Sequence, residues 1–451
     1  MLAAAQPAAI RVDRAITTHA PEPPKLGMIL LSVYVFLLFS RIQDFAAFLH
    51  VPMILVALSI VYAVLSGGLT RPFTSPIGMC LIGLTIWMAL SIPLSVWPGG
   101  SATMFVTKWL RALLGFFLTT ALIYTPRQIR SVLTAIACGA IVGALTAIFT
   151  GGDAARMAVD NTSRLSDAND FAQFLLVAGC LVFAVITRPG VNRGFKLLLY
   201  CGLAILFFSF IRTGSRGGLI GLMAVLVAFL ITSRGRKMKM LFVLGAAILV
   251  LSIAFLPETL RMRYLYVLGD KQATTTMQDE AGAASAEART FLFWESVRLT
   301  FTHPIFGVGP GMFQVAENDL AKKEGYSRGS WHETHNAYTQ VSSETGLLGA
   351  AFFLGALFLS YRAVHRVVKL SQVNQSPDIV EASRLAYWFR LSFIGFLATS
   401  VFLSVSYTEE LEVFIGIAAV FEKWLRTQSL RQAAQTMPRS LVIGSRLPQP
   451  L

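Results

Sequence analysis

The chain has 451 residues, of which 55% are hydrophobic and only 14% are charged, and its mean hydropathy is +0.63. A soluble protein of this length needs a polar surface that so few charges cannot supply, so the composition excludes a soluble globular enzyme and predicts a membrane protein. The formal net charge of +14 comes from basic residues in short loops between apolar segments, a pattern that favours membrane orientation over nucleic-acid binding.

Apolar segments of about 20 residues predict an all-α polytopic membrane protein with about 12 transmembrane helices. The first segment is short, and residues 1–25 before it lack the apolar region of a signal peptide, so no cleavable leader is expected. The predicted spans are residues 26–40, 45–65, 77–96, 102–123, 129–149, 169–187, 195–211, 215–232, 240–256, 337–360, 386–406 and 411–425.

The positions of lysine and arginine predict the orientation of these spans. Basic residues concentrate in alternate loops, which places those loops and both termini in the cytoplasm and the large loop 257–336 outside it. The predicted organisation is a cytoplasmic tail (1–25), transmembrane helices 1–9 (26–256), the large, partly helical loop (257–336), transmembrane helices 10–12 (337–426) and a cytoplasmic tail (427–451).

Two arginines depart from this charge bias. Arg212 and Arg216 flank Thr213-Gly214-Ser215 at the predicted outer end of the eighth span, where arginine is rare in membrane proteins. The N-terminus of a helix carries unpaired N–H groups and the positive end of the helix dipole, so this end predicts a phosphate or anion site. The alternative is a turn whose glycines allow close packing and whose arginines reach lipid headgroups.

The large loop contains one strong helical pattern. Residues 284–302 predict an amphipathic helix over the membrane face of the protein, with Phe291, Trp294, Val297 and Phe301 on its apolar stripe and Arg289 in its N-terminal turn. Arg289 alone fits an ordinary solvated helix charge as well as a binding residue. Residues 303–311 then contain three glycines and two prolines, which predict a tight irregular turn.

A cluster of titratable residues precedes the tenth span. His332 and His335 are three residues apart, which does not fit the spacing of a helical zinc site, and no Asp-x-Asp motif occurs, so no metal is expected. His335 at the start of an outward-facing helix fits a neutral general base, because the positive helix end disfavours imidazolium. The alternative is an interfacial histidine that caps the helix. Glu344, about two turns deeper, is a second polar group.

Three segments in order resemble the O-antigen ligase and O-antigen polymerase superfamily of bacterial envelope enzymes, most closely the lipopolysaccharide O-antigen ligases. Thr213-Gly214-Ser215-Arg216-Gly217-Gly218 is similar to the Ser-Arg-Gly motif of the family. Arg289, Trp294 and residues 303–313 are similar to its loop signature. His335-Asn336-Ala337-Tyr338 and residues 344–349 are similar to its best-known block. Residues 257–285 and the termini match nothing in the family.

This resemblance implies a metal-independent transferase without a cofactor, located in the bacterial inner membrane with its active site facing the periplasm. Its donor would be a glycan on undecaprenyl diphosphate, its acceptor a sugar hydroxyl of lipid A–core oligosaccharide, and its other partners membrane lipids rather than nucleic acid. By resemblance, His335 would be the base and Arg216, Arg289 and, with weaker support, Arg212 would hold the diphosphate. Ser215, His332, Glu333, Asn336, Tyr338 and Glu344 are candidate supporting residues.

Three other functions remain open from the sequence. A polymerase of the same superfamily would use a second lipid-linked glycan as acceptor, and a protein O-oligosaccharyltransferase would use a Ser or Thr side chain. A polytopic transporter or flippase would also have about twelve spans, but we expect it to carry matching polar sites in two repeated halves. No convincing internal repeat is present, and the polar candidates concentrate at one end of the spans, which favours an enzyme.

Overall fold

The computed structural model describes residues 25–150, 156–158, 167–233, 235–265, 277–325 and 332–436, and within them it contains helices and no strands. Seven of the described helices are long and apolar enough to cross a membrane, and a bent pair of helices would make an eighth. The all-α, multi-pass class is therefore confirmed. The count of twelve spans and the location of the large loop outside the cytoplasm remain predictions.

The N-terminal half departs from simple spans at two places. The predicted span 45–65 is instead a 3₁₀ helix (Ile42–Leu49) followed by the α-helix Val51–Leu65. This α-helix and the next 3₁₀ helix (Gly68–Thr74) form a pair that is bent by 88°. The second place is the continuous helical segment Pro98–Leu122, in which a π-helical turn (Phe105–Trp109) separates two α-helices. The α-helices of this half are α1 (Lys25–Ser40), α2 (Val51–Leu65), α3 (Pro76–Ser91), α4 (Pro98–Met104), α5 (Leu110–Leu122) and α6 (Pro126–Thr150).

Ten α-helices follow in the described residues, and several begin at residues with a clear capping preference. Asp167 caps the first of them through a hydrogen bond from Asn169 N–H, as expected for an acidic residue at that position. The helices are α7 (Ala168–Ile186), α8 (Arg193–Arg212), α9 (Arg216–Thr232), α10 (Arg236–Ile253), α11 (Glu258–Leu265), α12 (Met277–Thr302), α13 (Phe313–Glu324), α14 (Ala337–Leu370), α15 (Pro377–Thr399) and α16 (Glu409–Thr436).

Helix α14 is central to the packing, because it contacts α3, α12, α15 and α16. Small residues allow other helices to approach closely: a side chain at Gly139 or Gly143 of α6 would meet backbone oxygens of Phe36 or Phe39 in α1. By contrast, apolar side chains such as Met53 and Leu58 on α2 are exposed, as expected for a surface that faces lipid.

The helix predicted in the large loop exists as part of α12, and its apolar stripe is only partly covered, since Phe291 packs against buried residues of the loop. Leu292 and Leu299 of α12 are buried, whereas Trp294 and Phe301 are 63% and 70% exposed. The position of this helix over the membrane face remains a prediction, because helical spacing identifies an apolar face but not what covers it. An exposed Trp and Phe on one face fit contact with the membrane interface better than contact with protein. Helix α13, later in the same loop, was not predicted.

Helix α14 is interrupted at Gly346, where φ is +70° and ψ is −174°. The turn 303–311 packs into this break, and backbone hydrogen bonds replace the missing helical ones. Leu347 N–H donates to Pro304 O (2.8 Å), Val308 N–H donates to Ser343 O (2.9 Å) and Gly309 N–H donates to Glu344 O (3.0 Å). The tight turn predicted for 303–311 is confirmed, and its glycines have positive φ.

Candidate functional site

The turn between α8 and α9 carries the first candidate residues. Arg212 ends α8, Arg216 begins α9, and Ser215 is the N-cap. The buried Ser215 Oγ accepts a hydrogen bond from Gly218 N–H (3.1 Å) and donates one to Asn169 Oδ1 (2.9 Å). The expected helix N-terminus is therefore confirmed, although the serine already satisfies one of its N–H groups.

Arg156, which precedes α7, makes two hydrogen bonds that hold the turn between α8 and α9. Its Nε donates to Thr213 O at 2.8 Å, and its Nη2 donates to Asn169 Oδ1 at 3.0 Å. Asn169 thus accepts from both Arg156 and Ser215, and three chain segments meet at one buried amide. Sequence inspection gave Arg156 no structural role, because its partners are distant in sequence.

His335 lies just before α14, in a left-handed conformation with φ of +49°. Its backbone N–H donates to Ser404 Oγ at 3.0 Å. The side chain of Asn336, which follows it, accepts from Tyr338 N–H (2.9 Å) and Thr339 N–H (3.1 Å) and is the N-cap of α14. The histidine is therefore not the helix cap. A strained backbone conformation at a bulky residue is typical of a functional position.

The surroundings of His335 favour its neutral form. Burial and, to a smaller extent, the positive charge of Arg289 lower the pKa of His335 to about 4; Asp167 opposes this shift and His332 adds to it. The imidazole is consequently unprotonated near neutral pH and carries the lone pair that a general base requires. Burial and the charge of Arg289, rather than the helix end expected from the sequence, are the main causes of the low pKa of His335.

Arg289 belongs to the same cluster although it comes from α12. Burial lowers the pKa of Arg289, and the charge of Arg216 acts in the same direction while Asp167 and Asp170 raise it. These interactions bring Arg216, Arg289 and Asp167 into one electrostatic neighbourhood with His335. Arg289 is thus not the solvated surface charge that its sequence context also allowed.

Two of the remaining candidate residues, Tyr338 and Glu344, make hydrogen bonds that hold neighbouring segments in place. Tyr338 OH donates to Leu397 O at 2.8 Å, which fixes α14 against α15. Glu344 is only 3% exposed and accepts from Gly311 N–H at 2.9 Å, so it positions the 303–311 turn. His332 is partly buried, and Glu333 is exposed. Arg212 Nε is buried and has no hydrogen-bond acceptor within the described part of the chain.

A cavity of about 1350 Å³ adjoins these groups. His335, Glu333 and Glu344 line it, together with Asp167 and Asp170, which sequence inspection missed. The three arginines are not among the described residues that line it; Arg289 instead interacts with the two aspartates that do. Across the described residues, no three His, Cys, Asp or Glu side chains are grouped as metal ligands would be.

Residues 201–354 match a family model described as O-antigen ligase. This segment is an O-antigen ligase family domain. It covers about a third of the chain and contains every residue that the sequence predicted for the site, from Arg212 to Glu344, whereas Asp167 and Asp170 lie outside it. The resemblance to the O-antigen ligase and polymerase superfamily is thereby confirmed. The matching segment lies in a chain with several helices that could cross a membrane. A search of curated proteins found no match to the chain.

Proposed function

We propose that this protein is an inverting glycosyltransferase that transfers a glycan from undecaprenyl diphosphate to a sugar hydroxyl of lipid A–core oligosaccharide at the periplasmic face of the inner membrane. The observation that carries the proposal is a neutral, partly buried histidine on a large cavity, with Arg289 acting on its charge and Arg216 acting in turn on Arg289. Glycosyl transfer from a lipid diphosphate needs a base for the acceptor and cations for the leaving group.

The reaction that fits these groups is one displacement. His335 takes the proton of the acceptor hydroxyl, and the resulting oxygen nucleophile forms a bond with the anomeric carbon of the donor sugar. The bond from that carbon to the diphosphate oxygen breaks, and undecaprenyl diphosphate leaves with the electron pair. Because no protein nucleophile takes part, the configuration at the anomeric carbon inverts. The proton on the imidazolium is then released to solvent.

Arg289 and Arg216 are proposed to bind the diphosphate and to stabilise the charge that develops on it. A guanidinium offers paired N–H donors that match two phosphate oxygens, and such charge-assisted bonds are strong where water is scarce. Arg216 is also the first residue of α9, so the positive end of that helix adds to the attraction. Arg212, whose Nε has no acceptor among the described residues, is a third candidate ligand.

The cavity also has a part suited to the lipid tail of the donor. Leu38 of α1, Met53 and Val56 of α2 and Leu114 of α5 line it. Met53 is 66% exposed on α2, whose outward side chains are apolar. An isoprenoid chain that entered between α2 and α5 would remain in contact with apolar surface while its diphosphate approached the polar end.

Deletion of the gene tests the reaction and separates ligase from polymerase. The proposal expects full-length glycan chains to accumulate on undecaprenyl diphosphate while lipid A–core stays uncapped on a lipopolysaccharide gel. Wild-type protein should restore capping, and His335→Ala should not, although it inserts and accumulates normally. Single repeat units attached to core in the deletion strain would instead identify a polymerase. Near-normal capping by the His335→Ala variant would remove His335 from the mechanism.

A further inference from the structure

The cavity has a second cationic region, outside the segment that matches the O-antigen ligase family. Lys108 and Arg111 line it from the helical segment Pro98–Leu122, one of the seven candidate membrane spans. Lys108 lies about 15 Å along the helix from Pro98 at the usual rise of 1.5 Å per residue. A charged residue that far into an apolar span is costly in lipid, and such residues usually face a polar cavity that has a function.

The local helix geometry supports a functional position. Phe105–Trp109 forms a π-helical turn, which inserts an extra residue in the helical repeat and is common at functional sites. Thr103, Thr107 and Arg111 all line the cavity, so one face of this span is directed into it on both sides of the π turn.

Arg111 and Lys108 differ in their partners. Arg111 Nε contacts Glu409 Oε1 at 2.6 Å, and Tyr34 OH donates to the other oxygen of that carboxylate at 2.9 Å. The Arg111 side chain is nevertheless 67% exposed, and its other guanidinium N–H groups remain available for a ligand. Lys108 is exposed and makes no ion pair with any residue that the structure describes.

This cationic region is connected to His335 through one short segment. Ser404 Oγ accepts from the His335 N–H, Tyr407 lines the cavity three residues later, and Glu409 pairs with Arg111. On the other side, Lys108 is one turn after Met104, and a side chain at Gly311 would meet Met104 Cγ at 2.5 Å. His335 and the second cationic region therefore line connected parts of the same cavity.

Trp97 adds a surface for sugar. It lines the cavity at the start of the same span and is 53% exposed. A Cβ at Gly100 would lie 2.4 Å from the indole ring, so one face of the ring covers the backbone there. An indole with an accessible face, on a cavity wall that also carries Thr103, Thr107 and Lys108 farther along the same helix, has the features of one end of a carbohydrate subsite, because the C–H face of a sugar packs on an aromatic ring.

We infer that Trp97, Lys108 and Arg111 form a binding subsite for an anionic glycan, which in the reaction is the acceptor. The acceptor role rests on the proposed function, whereas the binding of an anionic sugar rests on this cavity wall alone. The chemistry recognised is a negatively charged substituent on a sugar, either a phosphate or the carboxylate of a uronic acid. Lys108 would bind it as a point charge and Arg111 as a planar donor.

The test measures binding to purified full-length protein in detergent by isothermal titration. The probes are a delipidated, phosphorylated core oligosaccharide, the same oligosaccharide after phosphatase treatment, and a uronic acid oligosaccharide of similar length. Lys108→Met should weaken binding of an anionic probe about tenfold and leave the neutral probe unchanged, while Lys108→Arg retains the affinity. Trp97→Ala should weaken binding of all probes that the wild type binds. Lys323→Met, at an exposed lysine of α13, is the matched control and should change nothing.

The outcomes separate the subsite from the proposed reaction. Dependence on Lys108 for the phosphorylated probe identifies phosphate as the ligand group, and dependence for the uronate probe identifies carboxylate. Equal affinities of wild type and Lys108→Met for every probe would overturn the subsite, even if glycan transfer from undecaprenyl diphosphate is found. Lys108-dependent binding in a protein that transfers no glycan would leave the subsite standing and reject the proposed function.

Discussion

The environment of His335 predicts a pH dependence that an ordinary histidine would not have. Burial and Arg289 lower the pKa of His335 to about 4, compared with about 6.5 for an exposed histidine. A general base must be unprotonated, so activity is full above this pKa and is lost as the pH falls through it. At pH 5.5 roughly 97% of such a histidine is neutral, against roughly 9% of an exposed one, which is about a tenfold difference in rate.

The assay is glycan transfer by purified protein, with kcat and kcat/KM measured from pH 4.5 to 8. The profile of kcat/KM reports the free enzyme, so it should stay flat down to about pH 5 and fall only near the low end of the range. The profile of kcat reports the bound complex. A diphosphate close to the imidazole favours its protonated form, so kcat should begin to fall at a higher pH than kcat/KM.

Asp167→Asn gives an independent check of the sign. The charge of Asp167 raises the pKa of His335, so its removal should shift the acid limb of kcat/KM to lower pH or out of the range. Arg298→Gln, at an exposed arginine of α12 that pairs with Glu324, should leave the limb in place. A wild-type limb near pH 6.5 would refute the argument from burial, and a limb that moves upward in Asp167→Asn would refute the electrostatic assignment.

The other predictions concern the leaving group, the helix break and the α8–α9 turn. Arg289→Lys should lower kcat/KM about tenfold or more, because an ammonium cannot replace the planar pair of donors; Arg298→Lys, on the same helix, should not. Gly346→Ala should destabilise the protein by about 3 kcal/mol in thermal unfolding, because φ is +70° and the added Cβ would lie 2.1 Å from Ile305 O. The control variant Gly355→Ala should be tolerated, because an added Cβ there would make only an ordinary contact with Cys80 Sγ. Ser215→Ala should cost about 1–2 kcal/mol by the same measurement, and an unchanged melting temperature would contradict its capping role.

Local signals predicted the parts of the site that are fixed by neighbouring residues. The start of α9 beside Arg216 and the start of α14 after His335 follow from glycine and polar capping residues next to apolar segments, so sequence alone located both. The hydrogen bonds of Arg156 to Thr213 and Asn169 were not predictable, because spacing carries no information about contacts between distant segments.

The positions of Lys108 and Arg111 on the cavity were also not predicted from the sequence. Hydropathy identified residues 102–123 as a span because it averages over all faces of a helix, and two cations among many apolar residues did not change that assignment. Only the folded arrangement shows that both line a cavity. The pattern still contained a signal, since charged residues within an apolar span favour a polar pathway or binding site over lipid.

The break in α14 gives a physical reason why the site depends on helices outside the family-matching segment. At the break, Thr345 O accepts from Trp87 Nε1 of α3 at 2.9 Å, and the ring of Trp87 stacks on Phe306 with centroids 4.6 Å apart. Pro310 O accepts from Ser101 Oγ of α4 at 3.1 Å. The turn 303–311 therefore fills the break on one side and binds α3 and α4 on the other. Helix α4 leads directly into the π turn that contains Lys108. A displacement of the turn 303–311 would therefore disturb both the Glu344 end of the cavity and its second cationic region.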